Sequence, residues 1–512
     1  DFDALFFGIS PAEAMYMNPE QRLMMLYVWE CLENAGCGGE DIKGTNTGLF
    51  IGCGPSGYSS LLHGLPIEAY SATGTVSSVG PNRISYLMDW HGPSNPIDTA
   101  CSSALVAVHR SVEAIRAGHC DQAVAGGVNL LLAPDGYISF AKSGMLAEDG
   151  KCKTFSDKAD GYVRGEGIGM LLLKPLKAAL RDGNTIHALI KGTAENHGGR
   201  TNSLTAPNPK SQAAVIKKAI SEAGIDFSRV SYIECHGTGT SLGDPVEIRG
   251  LKTVSNDLLE DKNPSHICKI GSIKSNIGHL EYAAGAVGMI KVILQMKHKK
   301  IARSLHCDAI NPYIDFKNTP YEIAQTASDW HVEPGQTRIA GVSSFGFGGV
   351  NSHIVIEEYL DNSSIQDDVE NDDNQSQLII FSARSEESLI DYAAQFPNFI
   401  KTLDKSPDTL KNIAYTLQIG RTEMQERLVF VAKSMDEWAE QLETYLAEKG
   451  KNYNGKIFRG SVKRSGSDNI ELGDTQAGKD YIKQLIHSNE SEKIAELWVK
   501  GTKIDWPALH VQ

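Results

Sequence analysis

SNPIDTACSSALVAVHRSVEAIRAG (residues 94–118) opens as an extended run and continues as a helix whose first turn is Ser102, Ser103 and Ala104, with Cys101 at the junction. That position bears on the thiol. Unpaired N–H groups at a helix start favour negative charge, so the Cys101 pKa is expected to fall below its usual ~8.5 and populate the reactive thiolate. The competing reading is that a free Cys is a small buried hydrophobe. Position alone does not decide between them.

Outward from this stretch, strand-like runs such as TGLFIGCG (47–54), QAVAGGVNLLL (122–132) and IGMLLLKPL (168–176) alternate with helical ones such as PEQRLMMLYVWECLENAG (19–36). Such alternation predicts a layered α/β architecture over residues 1–360. DNSSIQDDVENDDNQS (361–376) has no apolar cluster and only acidic charge, the composition of a solvated linker and a domain boundary. Beyond it, QLIIFSA (377–383) and RLVFVAK (427–433) read as strands among helical stretches, enough for one small α/β unit over 377–512, closing on a helical stretch from Lys479 onward. With 512 residues, two or three units are expected.

A net charge of −14 disfavours a non-specific nucleic-acid binder, and no apolar run approaches the roughly 18 residues that a membrane span needs. Nine cysteines without a CxxC pair fit neither a disulfide framework nor a zinc ribbon, and a reducing cytoplasm is the simpler reading. The chain starts at Asp1 with no readable export signal and looks like a piece of something longer.

Two histidines stand in glycine-rich settings after apolar runs: His236 in VSYIECHGTGTSLGDPVE (230–247) and His279 in ICKIGSIKSNIGHLEYAAGAVG (267–288). Glycine lets backbone approach a ligand closely, and the hydroxyls of Thr238 and Thr240 offer hydrogen bonds to an amide-bearing substrate arm. Taken singly, either His is more often structural. GFGG (346–349) lacks GxGxxG spacing, and GYVRGEGIGM (161–170) reads as a turn entering a strand, so neither is assigned a nucleotide.

Together, DTACSSAL, HGTGTSLGDPVE, KSNIGHLEYAAG and SSFGFGGVNSH resemble the β-ketoacyl synthase family, in its order and at about its spacing. DALFFGISPAEAMYMNPEQR, ADGYVRGEG and NHGGRTNSLTAPNP extend the resemblance from the first residue to about Glu358, in forms that look like the modular polyketide branch. The resemblance implies a thiolase-like αβαβα sandwich of two similar halves joined near residue 200. By its motifs Cys101 is the acyl-accepting nucleophile, His236 and His279 polarise the extender's thioester carbonyl, and Lys274 supports them. Backbone N–H groups of Cys101 and Phe347 form the oxyanion hole, with Phe347 a gate on the loop Gly346, Gly348 and Gly349. Thr238 and Thr240 meet the pantetheine arm. The implied reaction is decarboxylative condensation of an acyl chain on Cys101 with a malonyl-type extender; the alternatives are an acyl transferase that does not elongate and a non-catalytic carrier-protein docking scaffold.

Implied partners are an acyl carrier protein bearing phosphopantetheine, neighbouring synthase domains and a second copy of the chain as a homodimer, with no metal or cofactor bound by the domain itself. The family's first strand-and-loop region, before DALFFGIS, is absent, so the isolated chain is expected to fold poorly. Cys235 stands where the family usually has Ala and is expected to be buried; Ala104 and Val350 replace a Ser and a Thr and are expected to affect packing alone. Residues from about Leu378 resemble the linker that flanks such domains. Apart from the string Gly239–Gly243, which belongs to HGTGTSLGDPVE, the chain has no G-x-S-x-G elbow, so extender loading is assigned to a separate, trans-acting acyltransferase, with 377–512 either its docking surface or a spacer.

Overall fold

In a computed structural model, residues 2–38, 42–259, 267–361, 375–448, 455–462 and 475–510 are described. The chain divides into two compact units. One comprises Asp1–Cys31 and Lys43–Asn362, the other Leu32–Ile42 and Ser363–Gln512. The acidic 361–376 linker lies, apart from its ends, outside the described residues.

In the first unit a four-stranded sheet runs in the order β2-β1-β3-β4, from β1 (Thr47–Gly52), β2 (Ser94–Ile97), β3 (Gln122–Asn129) and β4 (Gly167–Leu173). Strands β5 (Ala188–His197), β6 (Tyr232–Glu234), β7 (Cys268–Gly271), β9 (Tyr321–Ile323), β11 (Ile339–Phe345) and β12 (Val350–Glu358) make a six-stranded sheet ordered β5-β12-β11-β6-β7-β9. A short antiparallel pair, β8 (Lys300–Ile301) and β10 (Ser328–Asp329), stands apart from both. The pairings repeat. Along β2-β1-β3-β4 they are parallel, parallel and antiparallel, and along β7-β6-β11-β12 they follow the same sequence. The passage from one sheet to the other falls between Leu173 and Ala188, somewhat before residue 200.

Helices Ser103–Arg116 and Ala284–His298 pack on each other and against both sheets, forming the middle layer. Their residues are accordingly apolar on more than one side: Ala104, Leu105, Ala107 and Val108 in the first, Ala286, Met289 and Val292 in the second, are buried. Helix Val79–Met88 covers the outer face of the first sheet, and Pro209–Ala223 with Gly243–Leu258 that of the second. The result is the thiolase-like αβαβα sandwich of two similar halves.

The second unit has a three-stranded antiparallel sheet, β13 (Gln377–Ala383), β14 (Glu426–Ala432) and β15 (Ile457–Ser461), in that order. Its core gathers Phe381, Phe430, Trp438, Tyr445 and Trp498. The C-terminal helical stretch is two helices, Gln476–His487 and Ser491–Val499, parted where Asn489 takes φ +54°, and a short 3-10 turn follows at Trp506–Leu509. Among the described residues, no helix is long and apolar enough to cross a membrane.

Candidate active site

Cys101 lies in a 3-10 turn, Ala100–Ser102, between β2 and the Ser103–Arg116 helix. Ala100 has φ +55°, a left-handed backbone that L-residues rarely adopt, and the turn around it is tied by side chains. Ser103 Oγ accepts from Thr99 N–H at 2.8 Å and donates to the Ala100 carbonyl at 2.7 Å, while Ser102 Oγ donates to the Thr99 carbonyl at 2.9 Å. Cys101 is thereby held with its sulfur toward a cavity of about 570 Å³. His236, His279, Thr238, Thr240, Gly346, Phe347, Gly348 and Gly349 line the same cavity.

The two halves place these groups by symmetry. Cys101 follows β2 and precedes one middle-layer helix; His279 follows β7, the counterpart of β2, and precedes the other. His236 comes from the loop after β6, counterpart of β1. The imidazoles sit edge to face with centroids 5.5 Å apart. In each, Nδ1 accepts a backbone N–H: from Glu281 at 3.0 Å for His279, from Phe345 at 3.4 Å for His236. An accepting Nδ1 leaves the ring proton on Nε2. His279 Nε2 is buried with no hydrogen-bond partner among the described residues, a donor free for a ligand atom. Burial, with the Lys274 ammonium adding to it, pushes both imidazoles well below the usual histidine range, so both are neutral at pH 7.

Lys274 is 4% exposed and lies outside the cavity lining; burial lowers its pKa while Glu234 and Glu247 oppose the fall. These two carboxylates were not singled out in the sequence. Glu247 accepts from the N–H groups of His236 and Gly237, both at 2.8 Å, fixing the His236 loop. Glu234 accepts from Ile273 N–H at 2.6 Å, Lys291 Nζ at 2.7 Å and Tyr232 Oη at 2.8 Å, which fixes the loop entering Lys274. Glu247→Ala strands two buried donors, so unfolding free energy in chemical denaturation is expected to drop by about 3 kcal/mol, with a smaller loss for Glu247→Gln.

The thiol departs from the sequence expectation. Backbone N–H groups of Phe347 and of Cys101 itself favour its anion, as does Lys274, but burial and the Glu281 carboxylate outweigh them and push the Cys101 pKa up to about 11. A helix start supplies partial charge; the closed surroundings remove solvation, and the second effect is larger. Alkylation of Cys101 by iodoacetamide, followed by peptide mapping, is therefore expected to speed up about tenfold per pH unit from 7 to 10. A plateau by pH 8 would contradict this. Cys235 is fully buried behind His236 and is not expected to compete.

Thr238 and Thr240 lie at the cavity wall with their hydroxyls 3.2 Å apart, and Thr240 Oγ1 accepts from Gly243 N–H at 3.1 Å. Phe347 is 46% exposed and its ring meets Phe140 edge to face at 6.2 Å. Among the described residues no group of three His, Cys, Asp or Glu side chains is arranged to hold a metal.

Against known protein families, residues 1–179 match the N-terminal domain and residues 187–308 the C-terminal domain of beta-ketoacyl synthase. The chain belongs to the β-ketoacyl synthase family. Residues 380–449 of this ketosynthase match the RhiE-like, KS-MAT linker domain. Polyketide synthase PksN of Bacillus subtilis is 46% identical over 100% of the ketosynthase chain and 9% of its own length; PksL of the same organism is 42% identical over 99% and 11%. The chain thus spans about a tenth of the length of these two relatives. Among solved structures, the ketosynthase from module 6 of the bacillaene synthase of Bacillus subtilis 168 aligns with TM-score 0.87 and 38% identity, covering 99% of this chain and 86% of that one. One from module 1 of the bacillaene synthase of Bacillus amyloliquefaciens FZB42 gives 0.86 and 32%, covering 99% and 85%. Ketosynthases are acyl-transferring enzymes, so the cavity around Cys101 is the place to look for chemistry.

Proposed function

We propose that this ketosynthase carries out decarboxylative condensation in polyketide assembly, extending an acyl chain held on Cys101 with a malonyl-type unit. The observation that carries the reading is the pair of imidazoles, each with Nδ1 occupied by a backbone N–H, on the cavity that Cys101 also lines.

In the first step the Cys101 thiol attacks the thioester of the incoming chain; the phosphopantetheine thiolate of the carrier protein leaves with the thiol's proton, so one thioester replaces another. The N–H groups of Cys101 and Phe347, directed at the sulfur here, are the donors for the oxyanion at this corner. In the second, a malonyl thioester on a carrier protein loses CO₂, and the electrons of the broken C–C bond form an enolate. His236 and His279 donate through Nε2 to its oxygen. Its carbon attacks the acyl carbon, the C–S bond to Cys101 breaks, and the thiolate regains a proton from solvent. Thr238 and Thr240 hold the amides of the pantetheine arm, and Phe347, with Gly346, Gly348 and Gly349, opens and closes the approach.

The carrier protein, neighbouring synthase domains, a second copy of the chain and a separate acyltransferase acting in trans, with 377–512 as its docking surface, complete the proposed setting. The test is to load an acyl thioester, digest, locate the acyl mass, then add malonyl carrier protein. Acylation at Cys101 followed by a β-ketoacyl product supports condensation. Acylation without extension supports the transferase that does not elongate, and no acylation of a folded protein refutes both.

A further inference from the structure

Arg164 and Glu281 lie 117 residues apart in sequence and form a bidentate pair, Nε to Oε1 at 2.5 Å and Nη2 to Oε2 at 2.8 Å. Their side chains are only 9% and 11% exposed. The guanidinium is also enclosed by the rings of Tyr137 and Phe140, 5.1 and 5.0 Å from their centroids. Space for it depends on Gly136, where a Cβ would come within 2.3 Å of Nη1. Backbone pairing places the same segment along His279: His279 N–H donates to the Val163 carbonyl at 2.7 Å, and Gly165 N–H to the His279 carbonyl at 2.9 Å.

Glu281 itself has φ +42°, a backbone that costs a residue with a Cβ and persists only where surroundings enforce it. In that conformation its N–H points at His279 Nδ1, 3.0 Å away. Turned away, the N–H would leave Nδ1 able to carry the ring proton, and Nε2 would become an acceptor facing the cavity.

We infer that Arg164 and Glu281 are positioning residues for His279, the ion pair holding the strained Glu281 backbone whose N–H keeps the imidazole proton on Nε2. This rests on the proposed role of His279 as donor to the extender's thioester oxygen. The pair acts on decarboxylation through His279; the donors for acyl loading belong to Cys101 and Phe347, and the Glu281 charge reaches that step only through the Cys101 thiol.

The experiment compares Glu281→Ala, Glu281→Gly, Arg164→Ala and Arg164→Lys in the full chain. It measures acylation of Cys101 from an acyl-pantetheine thioester and CO₂ release from malonyl carrier protein separately. Glu281→Ala and Arg164→Ala are expected to slow decarboxylation about 100-fold, the cost of one lost oxyanion donor. Glu281→Gly lacks the same carboxylate but accepts a positive φ without strain, so it is expected to recover to within about fivefold of the parent. Arg164→Lys, which keeps the charge but not the fork, falls between. Acylation, compared at matched Cys101 thiolate because the Glu281 charge also raises that thiol's pKa, stays within about threefold throughout, since the transition-state donors for that step are untouched. Nitrogen-15 shifts of His279 report the Nε2–H tautomer in the parent and a mixture in Arg164→Ala. Glycine as slow as alanine, acylation falling in step with decarboxylation, or an unchanged tautomer in Arg164→Ala overturns the inference. A parent chain that neither acylates nor decarboxylates overturns the condensing reading instead, while the tautomer spectra still decide the positioning.

Discussion

Replacing Cys101 by alanine is expected to abolish extended product, by more than about 10⁴-fold, while malonyl carrier protein continues to lose CO₂. The two halves of the proposed reaction use different atoms. Acyl transfer needs a sulfur at the 3-10 turn Ala100–Ser102, and among the described residues no other cysteine lines the cavity to replace it. Enolate formation needs donors at the Nε2 positions of His236 and His279, whose orientation comes from Phe345 and Glu281 and owes nothing to the thiol. Mass spectrometry of carrier-bound products, alongside CO₂ release, reads both. Loss of decarboxylation in Cys101→Ala would show that the imidazoles depend on the thiol after all.

Gly346→Ala should be nearly as damaging, for a reason of space. A Cβ there would stand 2.4 Å from the Thr99 carbonyl oxygen, a backbone atom of the turn that carries Cys101. Neither side yields by a side-chain rotation. The loop must shift, and with it the Phe347 N–H aimed at the sulfur, so acylation is expected to fall by about 10² to 10³. Gly348→Ala is the comparison: nothing lies within 4 Å of its Cβ position, so any loss of acylation there reflects the motion of the loop alone and should be at least about tenfold smaller than at Gly346. If stopped-flow acylation shows equal effects at the two positions, the loop is a flexible flap and not a fitted donor.

The four motifs made Cys101, His236 and His279 candidates in the sequence because each is a short contiguous string, and three of the four are rich in glycine. The alternation of apolar runs made the layered α/β fold legible for the same reason: helix and strand periods are local properties. What was not legible lies across the fold. Arg164 and Glu281 sit in two quoted motifs, yet nothing in their spacing says that they meet. Glu247 ends HGTGTSLGDPVE, and only the folded loop turns it back onto His236 N–H. The thiol's pKa was misjudged in direction because helix position is visible in a sequence and desolvation is not. β15, Ile457–Ser461, escaped notice because it is five residues without strong alternation.

The flanking unit is not purely C-terminal. It takes in Leu32–Ile42, where Arg421 Nη1 donates to the Glu33 carbonyl at 3.0 Å and the Arg421 carbonyl lies in contact range of Gly38, 3.4 Å from its Cβ position. Grafting this synthase piece into a foreign assembly line by a single recombination junction near residue 361 would separate those partners, pairing residues 32–42 with an unrelated flank. Hybrid proteins joined after residue 510 keep both contributors from one parent, and are the ones expected to express as intact, exchangeable modules.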